Sequence, residues 1–299
     1  MKSSSVLKKG KISIFDIVLF VLLCVYSLTM IFLLGWAFIC SFKSKTDFNL
    51  HPLSFPNSFQ FSNYVNVIRD LNVPLTKVGY FDYKIYLPEL FLYSVVYSVG
   101  CTAVYIFARA MVAYVIARYR FKFGAFLYAV NLVVMILPIV GRLPGELQLM
   151  RMLNFYDNIW AICFMKASFT GMDFMLFHST FASIPKEYSE AARIDGASHW
   201  TVMLHIIFPM AKQIMLILAL TNFISYWNDW SATVTYMPNY PTASYALYVF
   251  QNSNLPEIAL GGIPYTLTAC TIVMIPVLIL FFIFRKQIMG EISFGGVKG

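Results

Sequence analysis

The chain has 299 residues, of which 59% are hydrophobic and 12% charged, with a net charge of +8 and a mean hydropathy of +0.69. Soluble domains carry about 25% charged residues, so composition excludes an ordinary water-soluble globule and points to an integral membrane protein. The positive charge sits mostly in loops beside apolar runs, where it sets orientation in a bilayer, and gives no reason to invoke nucleic acid.

In chain order, residues 1–14 form a short basic N-terminus. Ile17 to Cys40 has no charge and exceeds the roughly 20 apolar residues that a bilayer core requires, so a first transmembrane helix is expected over 15–41. It is longer than the ~7–15-residue core of a secretory signal and lacks a small-x-small cleavage site. An external loop over 42–89 is punctuated by Pro52, Pro56 and Pro74. Within it Ser62 is placed to cap a short helix over Asn63–Asp70, with Tyr64, Val67 and Ile68 on one face.

Residues 90–286 hold five further apolar runs: Leu90–Ile116, Ala125–Ile139, Ile159–Phe181, Ile206–Trp227 and Tyr265–Phe284. Arg109 interrupts the second span, Lys166, Asp173 and His178 the fourth, and Lys212 the fifth. The 230–264 loop is aromatic and proline-bearing, and residues 287–299 form a tail. The expected fold class is therefore an all-α membrane protein with six transmembrane helices. The cysteines Cys24, Cys40, Cys101, Cys163 and Cys270 lie singly in apolar runs and read as small packing residues.

Six spans put both termini on one side. Lys2, Lys8, Lys9, Lys11, Arg118, Arg120, Lys122, Lys186, Arg193, Arg285, Lys286 and Lys298 fall there, against Lys43, Lys45, Arg69, Lys77, Lys84, Arg142 and Arg151 opposite. The bias makes the termini cytoplasmic.

The segment between the fourth and fifth spans, 184–206, mixes charges in an otherwise greasy chain. Pro185 suits a first helical turn, and Ser183 is placed to cap it. Glu187 and Glu190 then favour the positive end of the helix dipole. Ala191 and Ala192 keep one face small, so another surface can approach closely, while Gly196 can end the helix in a left-handed conformation. Asp195 is placed to cap the apolar stretch Ala197–Ile207, and Pro209 marks the start of the fifth span. On physical grounds alone a plain interfacial helix-turn-helix accounts for this pattern equally well.

There is no GxxxxGK[ST] loop to cradle phosphates, no HExxH and no GxSxG, and the histidines do not cluster at ligand spacing. No catalytic residue and no metal ligand is proposed. Asp173, costly in lipid, is expected to face the bundle or a watery path, and Asn131, Asn222, Tyr226 and Asn228 are similar candidates. Hydrogen bonds that join helices explain each of them equally well.

Glu190-Ala191-Ala192, three residues, Gly196, nine residues, then Ile206-Ile207-Phe208-Pro209 resembles the EAA signature of membrane subunits of binding-protein-dependent ABC importers, with Phe208 in place of leucine. Ala108–Phe123, Phe55-Pro56 with Phe61-Ser62-Asn63-Tyr64, Tyr226–Trp230 and the C-terminal Gly295–Gly299 run are similar to the carbohydrate (maltose-type) permeases, in the branch that takes complex oligosaccharides. Tyr93-Ser94 departs from that group's Asn-Ser. The resemblance implies a type I ABC importer permease fold in the bacterial cytoplasmic membrane. It implies as partners a second permease subunit, two copies of an ATPase and an external sugar-binding protein. ATP and Mg would be held by the ATPase, and no cofactor by this chain. It assigns ATPase coupling to Glu190, Ala191, Ala192 and Gly196, with Tyr188, Arg193, Asp195 and Ala197 beside them. A secondary transporter, expected to show more spans and paired repeats, an ABC permease for another solute class, and a membrane scaffold with no transport role, against which Asp173 and the 184–206 segment argue, are the alternatives.

Overall fold

The structure is a computed structural model and describes residues 13–75, 83–119, 121–137, 141–252 and 256–289. The N-terminal lysines, Lys77, Arg120, Lys298 and the Gly295–Gly299 run lie outside the described residues. The chain divides into two compact units, Met1–Val67 with Asn254–Ile272, and Ile68–Ser253 with Val273–Gly299.

In the first unit, α1 (Ile14–Cys40) opens on a capping box. The Ser13 hydroxyl accepts the Phe15 N–H at 3.3 Å, and Asp16 accepts the Ser13 N–H at 2.9 Å. Its most apolar window is entirely unburied. After it come α2 (Lys45–Leu50), capped by Ser44, and α3 (Ser62–Asp70). Ser62 is the first helical residue of α3, not its cap. The expected apolar face is only partly realised, because Val67 is buried while Ile68 is exposed.

The turn after α1 is fixed by polar contacts. Asn63 Nδ2 donates to the carbonyls of Ser41 (2.9 Å) and Lys43 (3.0 Å), the Tyr64 hydroxyl meets Ser41 Oγ at 2.7 Å, and Thr268 Oγ1 donates to Ser41 O at 2.9 Å. Lys43, expected as a loop charge, is fully buried, its ammonium donating to His51 O and Ser54 Oγ. Burial of a cation is tolerated only with such partners.

The second unit opens with a hairpin, β1 (Asn72–Leu75) against β2 (Tyr83–Tyr86), antiparallel, with Val73 opposite Ile85. It departs from an all-α expectation. Val73, Leu75 and Ile85 are buried, and Val73 and Leu75 flank an outward-facing Pro74 at strand period. Helices follow as α4 (Leu87–Arg118), α5 (Lys122–Ile136), α6 (Leu143–Met152), α7 (Ile159–Met165), α8 (Met172–Ser183), α9 (Glu187–Ile194) and α10 (His199–Val202). A π-turn (Met203–Ile207) leads into α11 (Phe208–Met210), α12 (Lys212–Trp227), α13 (Ser231–Tyr236) and α14 (Ala243–Asn252). The last helix, α15 (Pro256–Met289), is broken at Gly262 (φ 64) and contributes residues to both units.

Two expected spans are not single helices. The fourth run ends as α7 at Met165 and resumes as α8 after Gly171, whose φ of 124 suits glycine alone. The fifth is bent by 79° between Met210 and Lys212. Pro209 has no N–H to give to the preceding turn, and ahead of it Phe208 N–H reaches back five residues to Met203 O. Among the described residues three helical stretches are long and apolar enough to cross a membrane: Ile14–Cys40, Leu87–Arg118 and Gly261–Lys286. The bent pair would make a fourth, and Lys122–Ile136 is a shorter apolar helix.

α4 is the spine of the second unit, packed by α7, α8 and α12. Phe177, Phe181 and Phe208 stack in series at centroid separations of 5.9 and 5.7 Å, with Tyr114 edge-on to Phe181. Rings that bury about 150–250 Å² each dominate such a core.

Candidate functional site

α9 presents a free surface: none of its residues is buried, and Tyr188 and Ile194 are 51% and 87% exposed. Glu190, Ala191, Arg193, Asp195 and Gly196 are exposed as well. Ala192 and Ala197 are half-buried, set against the aromatic core. The helix ends in a Schellman motif. Ala197 N–H donates to Ala192 O (2.9 Å) and Gly196 N–H to Arg193 O (3.1 Å), with Gly196 at φ +86.

Two expected caps are not made. Ser183 Oγ donates to Thr180 O within α8, and Lys186 occupies the cap position of α9 without a side-chain bond. Asp195 closes α9, its N–H donating to Ala191 O, while Ser198 caps α10 by accepting the Thr201 N–H at 3.2 Å. Both corrections follow from the turn geometry: three residues separate the end of α9 from the cap of α10, so Asp195 lies too early.

Two residues at the end of α4, one of them read from the sequence only as an orientation charge, hold this turn. Arg118, at the end of α4, donates from Nη1 to Ile184 O (2.6 Å), and from Nη2 to Pro185 O (3.2 Å) and Ser189 Oγ (2.6 Å). The Tyr119 hydroxyl meets His199 Nδ1 at 2.6 Å. The basic segment closing α4 is the one sequence signal for them.

A second group of polar residues lies along α4, α8 and α12. Asp173 Oδ2 accepts from the Tyr105 hydroxyl (3.0 Å) and from Asn222 Nδ2 (2.8 Å), joining the three helices. Tyr226, one turn beyond Asn222, sets its ring edge-on to Tyr105 and Tyr97, with Lys166 Nζ 5.6 Å from its centroid. Arg109 lies 3.4 Å over the Tyr105 ring and donates Nη2 to Thr170 O at 2.8 Å. Its Nε and Nη1 are buried with no hydrogen-bond partner among the described residues.

Asp173, Asn222 and Tyr226 thus lie in one group, Asn222 bonded to Asp173 and Tyr226 set against Tyr105. Asn131 is not part of that group; its Oδ1 accepts the Gly171 N–H at 2.7 Å and holds the break before α8. Asn228 is an exposed residue closing α12. Tyr105 and Arg109 complete the group: Arg109 stands out in the sequence only as a charge interrupting its span, and Tyr105 gives no signal, because a tyrosine in a span has ordinary reasons to be there. The arrangement offers a carboxylate, an amide, hydroxyls and ring faces within one bundle.

Residues 110–289 match the family model described as "binding-protein-dependent transport system inner membrane component". The chain is 27% identical over 279 residues to the diacetylchitobiose uptake system permease protein NgcG of Streptomyces coelicolor, covering 92% of this chain and 86% of that one. It is 26% identical over 226 residues to the maltodextrin transport system permease protein MdxG of Bacillus subtilis, covering 73% and 78%. Among solved structures, a bacterial ABC transporter involved in the import of the acidic polysaccharide alginate superposes with a TM-score of 0.73 at 23% identity, over 94% of this chain and 99% of that one. That likeness is one of fold.

Proposed function

Because the chain belongs to the family of inner membrane components of binding-protein-dependent transport systems, we propose that it is the membrane-spanning permease subunit of an ABC importer for an oligosaccharide. The Glu190 turn is its point of contact with a partner ATPase. The carrying observation is that turn: a helix with an exposed outer face, closed by a left-handed glycine and hydrogen-bonded to the end of α4, inside the stretch that matches the family. The names of the relatives, which take up diacetylchitobiose and maltodextrin, support a carbohydrate cargo.

In this reading six spans are formed by α1, α4, α5, the α7–α8 pair, the bent α10–α12 run and α15, with both termini cytoplasmic. A second permease subunit completes the path, two ATPase copies bind and hydrolyse ATP with Mg, and an external sugar-binding protein delivers cargo. ATP-driven closure of the ATPases moves α9, and the spans rock between inward- and outward-facing states. Asp173, Asn222 and Tyr226 line the path, supplying hydrogen bonds and a ring face to sugar hydroxyls and pyranose faces. Tyr188, Arg193, Asp195 and Ala197 flank the contact made by Glu190, Ala191, Ala192 and Gly196.

The test is Glu190→Lys in the complex purified with its ATPase. Like-charge juxtaposition at an interface costs several kcal/mol. Hydrolysis stimulated by binding protein loaded from a mixture of maltodextrins and chitooligosaccharides is therefore expected to fall roughly tenfold or more, while the chain remains in the membrane. Undiminished stimulation would rule the contact out.

A further inference from the structure

The end of α4 grips the segment that carries α9: one bond reaches α9 itself, at Ser189, and the others reach the stretch before it and the start of α10. Arg118 binds Ile184 O, Pro185 O and Ser189 Oγ on the N-terminal side, and Tyr119 binds His199 on the C-terminal side. An arginine fork that donates to three oxygens is rigid and charge-assisted. The covalent connections of α9 are softer. It is reached from α8 through a non-helical Ile184-Pro185-Lys186 stretch and leaves through the Gly196 turn. On the C-terminal side the Tyr119–His199 bond fixes the start of α10 beside a cavity of about 460 Å³ lined by residues including Tyr119, His199, Trp200 and Met203.

We infer that Arg118 and Tyr119 are positioning residues that carry the movement of α9 directly into α4. The spine helix, bonded to α9 at Ser189 and to its flanks at Ile184, Pro185 and His199, is then a lever between the surface turn and the Asp173 group. The build of α4 suits a lever. It runs unbroken from Leu87 to Arg118, and Tyr105, whose hydroxyl holds Asp173, sits about three and a half turns from Arg118 on the same helix. By contrast, α8 and α12 each begin at a break. The inference rests on the importer reading.

The experiment uses the complex with its ATPase in proteoliposomes, with spin labels placed separately at Ile194 on α9 and at Val99 in the far half of α4, both exposed positions. Trapping with MgATP and orthovanadate is expected to change both spectra in the otherwise wild-type complex. In Arg118→Ala combined with Tyr119→Phe, the Ile194 response should persist while the Val99 response falls roughly tenfold, as loss of charged hydrogen bonds would give. Arg118→Lys alone keeps one charged donor without the fork and should retain an intermediate response. A Val99 response undiminished in the double variant would overturn the inference while leaving the importer reading intact. Loss of both responses would also overturn it, since the pair would then serve folding or ATPase contact rather than transmission. A wild-type complex in which Ile194 does not respond to trapping would overturn the importer reading and this inference together.

Discussion

Gly100 marks the closest approach of α4 to α7: a Cβ there would lie 2.8 Å from Cys163 Sγ, itself 3.5 Å from Cys101 Sγ. In a helix interior Gly→Ala ordinarily stabilises by about 1 kcal/mol, but overpacking a filled core costs about 1–3 kcal/mol. Gly100→Ala should therefore lower the thermal midpoint of the detergent-solubilised protein. In a Cys163→Ala background the same change should be neutral or raise it, and a double-mutant cycle gives the coupling. Cysteine as a small packing residue is legible in sequence; which glycine it meets is not, because that depends on how two helices cross. Asp173 and Asn222 stand out because a carboxylate or amide in an apolar run needs a partner. Tyr105 does not, since only the juxtaposition of α4 with α8 gives its hydroxyl a role.

Among the elements, the α9 turn is the most legible. Its glycine, its small face and its acidic first turn are local signals, and the helix ends where they place it, though it begins at Glu187, two residues after the Pro185 expected in its first turn. Its neighbours are less so. The α7–α8 break is concealed in a run whose average stays apolar, and only Gly171 betrays it. The hairpin has four-residue strands whose pairing partner the sequence does not name. At Gly196 a Cβ would meet nothing within 4 Å, so the constraint is backbone conformation rather than space. A residue forced into the left-handed region costs about 1–2 kcal/mol, with Asn the mildest case. The expected order for ATPase stimulation in the purified complex is Gly196→Asn near wild type, Gly196→Ala lower and Gly196→Val lowest. A ranking by side-chain volume alone, with Asn as poor as Val, would contradict the turn-based account.

For the molecule as a whole, composition alone is enough to give the membrane class, and the basic-residue bias gives an orientation that labelling can check. Single cysteines introduced at Leu53, 75% exposed in the loop after α1, and at Ile194 on α9 should react from opposite sides. In intact spheroplasts a membrane-impermeant maleimide is expected to modify the Leu53 site at once and the Ile194 site only after permeabilisation. The reverse pattern would invert the topology. The number of helices crossing the bilayer is less legible, because hydropathy reads a broken run and a straight one alike, and the breaks at Gly171 and after Met210 come from backbone geometry.

α1 carries one more consequence. Its charge-free stretch Ile17–Cys40 makes a rod about 36 Å long, against a hydrocarbon thickness of about 30 Å, and none of its most apolar window is buried among the described residues. A stretch that overshoots its solvent in this way must lean, thicken the lipid around it or find a neighbouring chain to shield the excess. Acyl-chain length therefore becomes a control on the tilt of this helix. In short-chain lipids α1 leans further, and its far end, where the Ser41 turn begins, is drawn toward the headgroups.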